Sequence, residues 1–142
     1  MNFVEKVKNL QNYFNAGNFK KVIEGCKILN KKFPNNSFIL NLSGMAHQRL
    51  LCPHKAIQFY ELALKADNKN IAAMNNLASS LKDTQQYLKA DQIFKKIIKD
   101  NPNYINALNN YANLKSDVND VESAIQLYNQ ALVAAKEKKL II

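Results

Sequence analysis

The sequence predicts an all-α solenoid of four antiparallel helix-turn-helix hairpins, and three observations carry that reading. Apolar residues recur at helical spacing, short polar or proline-containing breaks interrupt them, and the whole pattern repeats every 34 residues without insertion or deletion. The clearest copy runs from Ile71 to Tyr104. Its small and apolar places are Leu77, Ala78, Leu81, Tyr87, Ala90, Phe94, Ile97 and Pro102, at the seventh, eighth, eleventh, seventeenth, twentieth, twenty-fourth, twenty-seventh and thirty-second positions. One helix is predicted from Ile71 to about Thr84, then a break at Gln85-Gln86, then a second helix from Tyr87 to about Lys99 that Asn101-Pro102 stops. Ala78 and Ala90 are small where two helices must approach closely, and Phe94 is large enough to fill the space left.

Moving the frame by 34 residues gives repeats 3–36, 37–70, 71–104 and 105–138 within a single domain, 1–142. The eighth place reads Leu10, Gly44, Ala78, Ala112, the twentieth Val22, Ala56, Ala90, Ala124, and the twenty-fourth Cys26, Tyr60, Phe94, Tyr128. In the first repeat Gly17 marks the hairpin turn and Pro34-Asn35-Asn36 closes the second helix. In the second, Ser37 is the expected N-cap, and Pro53 falls at the start of a helix, where its missing donor costs nothing. The fourth repeat keeps Ala124, Tyr128 and Ala131 but has no closing proline, so its second helix is free to continue. Residues 139–142, Lys-Leu-Ile-Ile, fall where a further helix or a truncated cap would begin. That apolar end points to a longer protein of which this is the N-terminal part, or to self-association through an uncapped C-terminal flank.

A 34-residue helical hairpin with these spacings resembles the tetratricopeptide repeat (TPR) family, and the likeness spans residues 3–138. The departures are local. The fourth place holds Lys6, Leu40, Met74 and Leu108 instead of a large aromatic, and the second hairpin turn is Leu51-Cys52-Pro53. Lys115, at the eleventh place of the last repeat, is the one core position with a charge that lacks an evident partner. The resemblance implies a right-handed superhelical array whose first helices line a concave groove.

A net charge of +9 raises the question of nucleic acid. The charge is concentrated off the first helices, as in Lys20-Lys21, Lys31-Lys32 and Lys95-Lys96, and the aromatics fall in core slots instead of alternating with exposed cations along a track. A solvated basic outer face is therefore expected, and nucleic-acid binding is not. The charge-studded N-terminus lacks a signal-peptide core and no apolar run can cross a bilayer, so a cytoplasmic protein with no membrane partner is expected. Cys26 occupies an aromatic core slot and is expected as a small buried hydrophobe. His47 is expected as a packed ring, and Cys52-Pro53-His54 lacks the paired spacing of a zinc site, so no metal and no cofactor are assigned. No nucleophile–base pair or glycine-rich phosphate loop is present, and the chain is read as a non-enzyme.

What remains is a surface. By the resemblance, the second, fifth, sixth, ninth, twelfth and thirteenth places face or border the groove. The fifth reads Val7, Asn41, Asn75, Asn109, the sixth Lys8, Leu42, Asn76, Asn110, and the ninth Gln11, Met45, Ser79, Asn113. An amide can pair with both the N–H and C=O of an extended peptide, so asparagines at one height on successive helices suit a peptide backbone. The candidate groove residues are Asn41, Asn75, Asn76, Asn109, Asn110, Asn113, Ser79 and Arg49. Asn76 and Asn110 resemble the sixth-place asparagines that line the array of the O-linked N-acetylglucosamine transferase type. The basic places of the TPR clamp for chaperone tails are here Val7, Ala72 and Asn76, so that adaptor role is not expected. The sequence thus reads as a scaffold binding an extended peptide or partner protein in its groove. The alternatives are the recognition arm of a larger protein- or saccharide-modifying transferase and a self-assembly module.

Overall fold

The computed structural model describes residues 1–140 and is all-helical there. Eight helices form four hairpins: α1 (Phe3–Asn15), α2 (Phe19–Lys32), α3 (Ser37–Arg49), α4 (Pro53–Ala66), α5 (Ile71–Asp83), α6 (Tyr87–Asp100), α7 (Ile105–Asp117) and α8 (Val121–Leu140). Every first helix begins at the first place of the 34-residue frame and ends at the thirteenth. Every hairpin turn places a residue with positive φ at the fifteenth: Gly17 (76°), Leu51 (58°), Gln85 (61°) and Asn119 (61°). The turns close with matching backbone bonds, Asn18 N–H to Tyr13 O, Cys52 to His47, Gln86 to Leu81 and Asp120 to Lys115, at 2.8–2.9 Å. This is how the orphan carbonyls of a helix end are satisfied when the chain reverses.

The first helices start on asparagine more often than the sequence suggested. Asn2, Asn36 and Asn70, one frame apart, accept from the N–H groups of Glu5 (2.9 Å), Ile39 (3.1 Å) and Ala73 (3.0 Å). The expected cap, Ser37, is instead the first residue of α3. Its hydroxyl donates to Ala63 O and accepts from Asn70 Nδ2, both at 2.8 Å, so it ties two helix ends to one cap residue. An asparagine preceding the helix already fills the capping role, which leaves the serine for tertiary bonding. Pro53 stands at the start of α4 as expected.

The chain divides into two compact units, Met1–Ser80 and the part from Leu81 onward, with the boundary inside α5. The first unit packs Leu10, Val22, Cys26, Leu29, Ile39, Leu42 and Ala46 together, flanked by Phe3, Val7, Phe14, Phe19 and Ile23. A second cluster joins Leu40, Ala63 and Ala73. In the second unit Leu108, Ala131 and Ala134 pack with Ile98, Ile105 and Leu127, and Phe94 stacks on Tyr111 at 5.5 Å. Side chains were expected to be core at all four twenty-fourth places. Cys26, Tyr60 and Phe94 are buried, whereas Tyr128 is 38% exposed because no described first helix follows α8 to cover it. Lys139 and Leu140 extend α8 and do not open a further helix; Ile141 and Ile142 lie outside the described residues.

No helix among the described residues is long and apolar enough to cross a membrane.

Candidate functional site

A cleft of about 540 Å³ opens between α1 and α3 on the first-helix face of the first unit. Lys8, Gln11, Asn12 and Asn15 line it from α1, with Phe14. Phe38, Asn41, Leu42 and Met45 line it from α3. On each helix these residues recur three, four and seven apart, which puts them on one face. Lys8, Gln11 and Asn15 of α1 stand at the same repeat places as Leu42, Met45 and Arg49 of α3. The floor is apolar, with Phe38 43% exposed, and the walls are amides. A second opening of about 360 Å³, lined by Phe14, Asn15, Gly17, Phe19 and Arg49, shares Phe14 and Asn15 with the first, so the two adjoin and are together termed the trough. The Arg49 guanidinium lies 5.7 Å from the Phe14 ring centre, a distance at which a cation is drawn to an aromatic face.

The helix-turn-helix frame and this face agree with what the chain matches. A tetratricopeptide repeat model covers residues 71–104, the same frame read from the sequence, and a second tetratricopeptide repeat model covers residues 93–126. Residues 71–126 are built of tetratricopeptide repeats.

Solved TPR structures share the fold. MamA from Desulfovibrio magneticus RS-1 (residues 41 to the end) superposes with a TM-score of 0.78 at 17% identity, over 93% of this chain and 75% of that one. YrrB, described as a TPR protein with an unusual peptide-binding site, gives 0.75 at 15% identity over 94% and 73%. In sequence, the uncharacterized protein ycf37 of Porphyra purpurea is 31% identical over 87 residues, 56% of this chain, and the chain spans 50% of that relative's length.

The TPR groove places do not contribute equally. Asn41 and Asn75 are only 7% and 5% exposed. Asn41 Oδ1 accepts from Asn76 Nδ2 at 3.1 Å, an amide pair that links α3 to α5 inside the first unit. These two fifth-place asparagines therefore serve packing first, and the repeated amide that the sequence singled out is not a uniform ladder, because Asn109 is exposed. Asn76, Ser79 and Asn110 are half-buried and Asn113 is exposed, its Oδ1 accepting from the Tyr128 hydroxyl. Arg49 is exposed at the end of α3. The residues missed as site candidates are Phe38, Leu42, Met45, Lys8 and Gln11. They occupy the groove places already marked by the family pattern, but in the first two repeats those places do not repeat one residue type.

Charge separates the two units. In the second, burial opposes the Lys82 ammonium, yet Asp83 at 3.3 Å and Asp117 at 3.5 Å outweigh it and raise its pKa. Lys115, whose partner the sequence did not reveal, bonds Asp91 at 2.9 Å and lies 5.1 Å from the Tyr111 ring centre. Asp91 also accepts from the Tyr111 hydroxyl (2.7 Å) and pairs with Lys95 (2.8 Å). Burial works against the Asp91 carboxylate, but the bonds from Lys95, Lys115 and Tyr111 prevail and bring its pKa to about 2. Lys8 and Arg49, by contrast, have no ion-pair partner among the described residues.

Two other residue types are structural. Burial pushes the Cys26 thiol up, against a hydrogen bond with Ser43. His47 stacks on Phe59 at 5.2 Å and 9°, and burial, with Lys55 and Lys27 nearby, lowers its pKa. Among the described residues no three His, Cys, Asp or Glu side chains could together hold a metal ion.

Proposed function

We propose that this TPR chain is a non-catalytic interaction module that binds an extended peptide, or an extended segment of a partner protein, in the α1–α3 trough of its first unit. The observation that carries this reading is the trough itself: an exposed Phe38 with Leu42 and Met45 beneath amides from Gln11, Asn12 and Asn15. The apolar floor offers area to a side chain and the amides offer both donors and acceptors to a backbone. The peptide-binding site named for YrrB, whose fold is shared, supports the reading.

Selection of linear peptides from a random display library tests it, with recovered sequences then measured on Phe38→Ala and Met45→Ala variants. Peptides that bind the wild type and lose affinity for both variants are expected. Recovered peptides that bind all three proteins equally would remove the trough from consideration.

A second reading, association of two copies through α8, is supported by one observation. Val121, Ile125, Tyr128 and Leu132 recur four, three and four apart, forming a single exposed apolar stripe beside the buried Ala124 and Ala131. Sedimentation equilibrium of the wild type against an Ile125→Lys, Leu132→Lys variant decides it: a dimer that becomes a monomer is expected, and a monomer in both cases would contradict it.

A further inference from the structure

Resting on that trough as a peptide site, we infer that its occupant is an acidic segment with a bulky apolar side chain between two carboxylates, read by Lys8 and Arg49. Both openings of the trough carry a cation, Lys8 in one and Arg49 in the other, and no carboxylate lines either. In the second unit two half-buried lysines are neutralised by aspartates, whereas Lys8 and Arg49 are exposed. Lys82 lies within 3.5 Å of two aspartates and Lys115 within 3.9 Å of two. Lys8 and Arg49 have no such partner, so an incoming carboxylate meets unpaired charge and displaces no existing ion pair. The Phe14 ring holds the guanidinium over the trough without neutralising it.

Spacing sets the pattern. Lys8 stands at the sixth place of α1 and Arg49 at the thirteenth of α3, seven places apart in the common frame. Seven helical residues rise about 10 Å, and the step from α1 to α3 adds about 10 Å sideways, so the two cations are set about 14 Å apart, a length that an extended chain covers in about four residues. Phe38, Leu42 and Met45 form the floor of the trough, so an apolar side chain placed between the carboxylates meets it. The recognised unit is a Glu-x-Leu-x-Glu type of segment.

The test uses three fluorescein-labelled, C-terminally amidated short peptides of one length. Each carries a central leucine, flanked at that spacing by two glutamates, two glutamines or two lysines. Their binding to the full chain is read by fluorescence anisotropy at low and at high salt. The glutamate peptide is expected to bind about tenfold tighter than the glutamine peptide at low salt, with the gap closing as salt rises. A Lys8→Glu, Arg49→Glu variant, checked for unchanged helicity, is expected to reverse the order in favour of the lysine peptide. Equal affinity for the glutamate and glutamine peptides, both abolished by Phe38→Ala, would overturn the acidic preference while leaving the trough as a peptide site. Binding that survives Phe38→Ala, or no binding of any peptide, would overturn both.

Discussion

Gly44 and Tyr60 are a matched pair: a Cβ on Gly44 would stand 2.5 Å from Cε1 of the Tyr60 ring. The ring is fully buried and its hydroxyl donates to Gln48 Oε1 at 2.8 Å, so it has no free direction in which to move. One repeat earlier the same two places hold Leu10 and Cys26, large and small exchanged, and both are buried in one cluster. The hairpins thus conserve a volume and not a residue.

Gly44→Ala is therefore expected to destabilise the protein. Alanine gains about 1 kcal/mol of helix propensity over glycine, but overpacking against an immobile ring costs about 1–3 kcal/mol, and the clash wins. Urea unfolding monitored by circular dichroism reads the loss. The same substitution in a Tyr60→Cys background is expected to cost less, a coupling that a double-mutant cycle measures.

Leu51→Gly is expected to stabilise. Leu51 has φ of 58° and is 87% exposed, so its side chain contributes little packing while its backbone sits in a region that disfavours β-carbons. Gly17 already occupies the same place in the first hairpin. A gain of about 0.5–1 kcal/mol is expected, after subtracting glycine's greater freedom in the unfolded chain, and thermal unfolding checks it.

Asp91 gives the second unit an acid-sensitive clamp. Its folded pKa of about 2 lies below the ordinary 3.8, so the carboxylate contributes stability above the ordinary value, and that contribution is lost as pH falls from about 4 towards 2. Asp91→Asn is expected to lower stability by on the order of 1–2 kcal/mol near neutral pH. The variant should also lose less stability than the wild type across that acid window. Unfolding free energies of the two proteins at matched pH values test the sign.

Asn70→Ala is expected to cost about 1–2 kcal/mol, more than a simple cap. Its Oδ1 caps α5 and its Nδ2 reaches the Ser37 hydroxyl that bonds Ala63 O, so one truncation loosens three helix ends. Loss of binding without loss of stability in this variant would contradict a structural role.

Helix limits and core slots were legible because they follow a strict period: α5 and α6 end within a residue of where polar breaks and Asn101-Pro102 put them. The roles of the asparagines were not. The same residue type caps helices at Asn36 and Asn70 and packs inside at Asn41 and Asn75, while it stands exposed at Asn109 and Asn113. Composition gives all of them one appearance, and only burial separates them. Lys115 found its partner in Asp91, 24 residues back on a different helix, a distance no helical spacing announces. Tyr128 reads as core by its place but is half-open, because burial there depends on a following helix and not on the residue.

The central claim, that a peptide lies in the α1–α3 trough, is tested most directly by amide chemical-shift mapping of the isotope-labelled chain titrated with the Glu-x-Leu-x-Glu type of peptide. Shifts that concentrate on Lys8, Gln11, Asn15, Phe38, Leu42 and Met45 and saturate together are the predicted result. Shifts confined to the lysine-rich second helices around Lys20-Lys21 and Lys31-Lys32, or to α8, would contradict it.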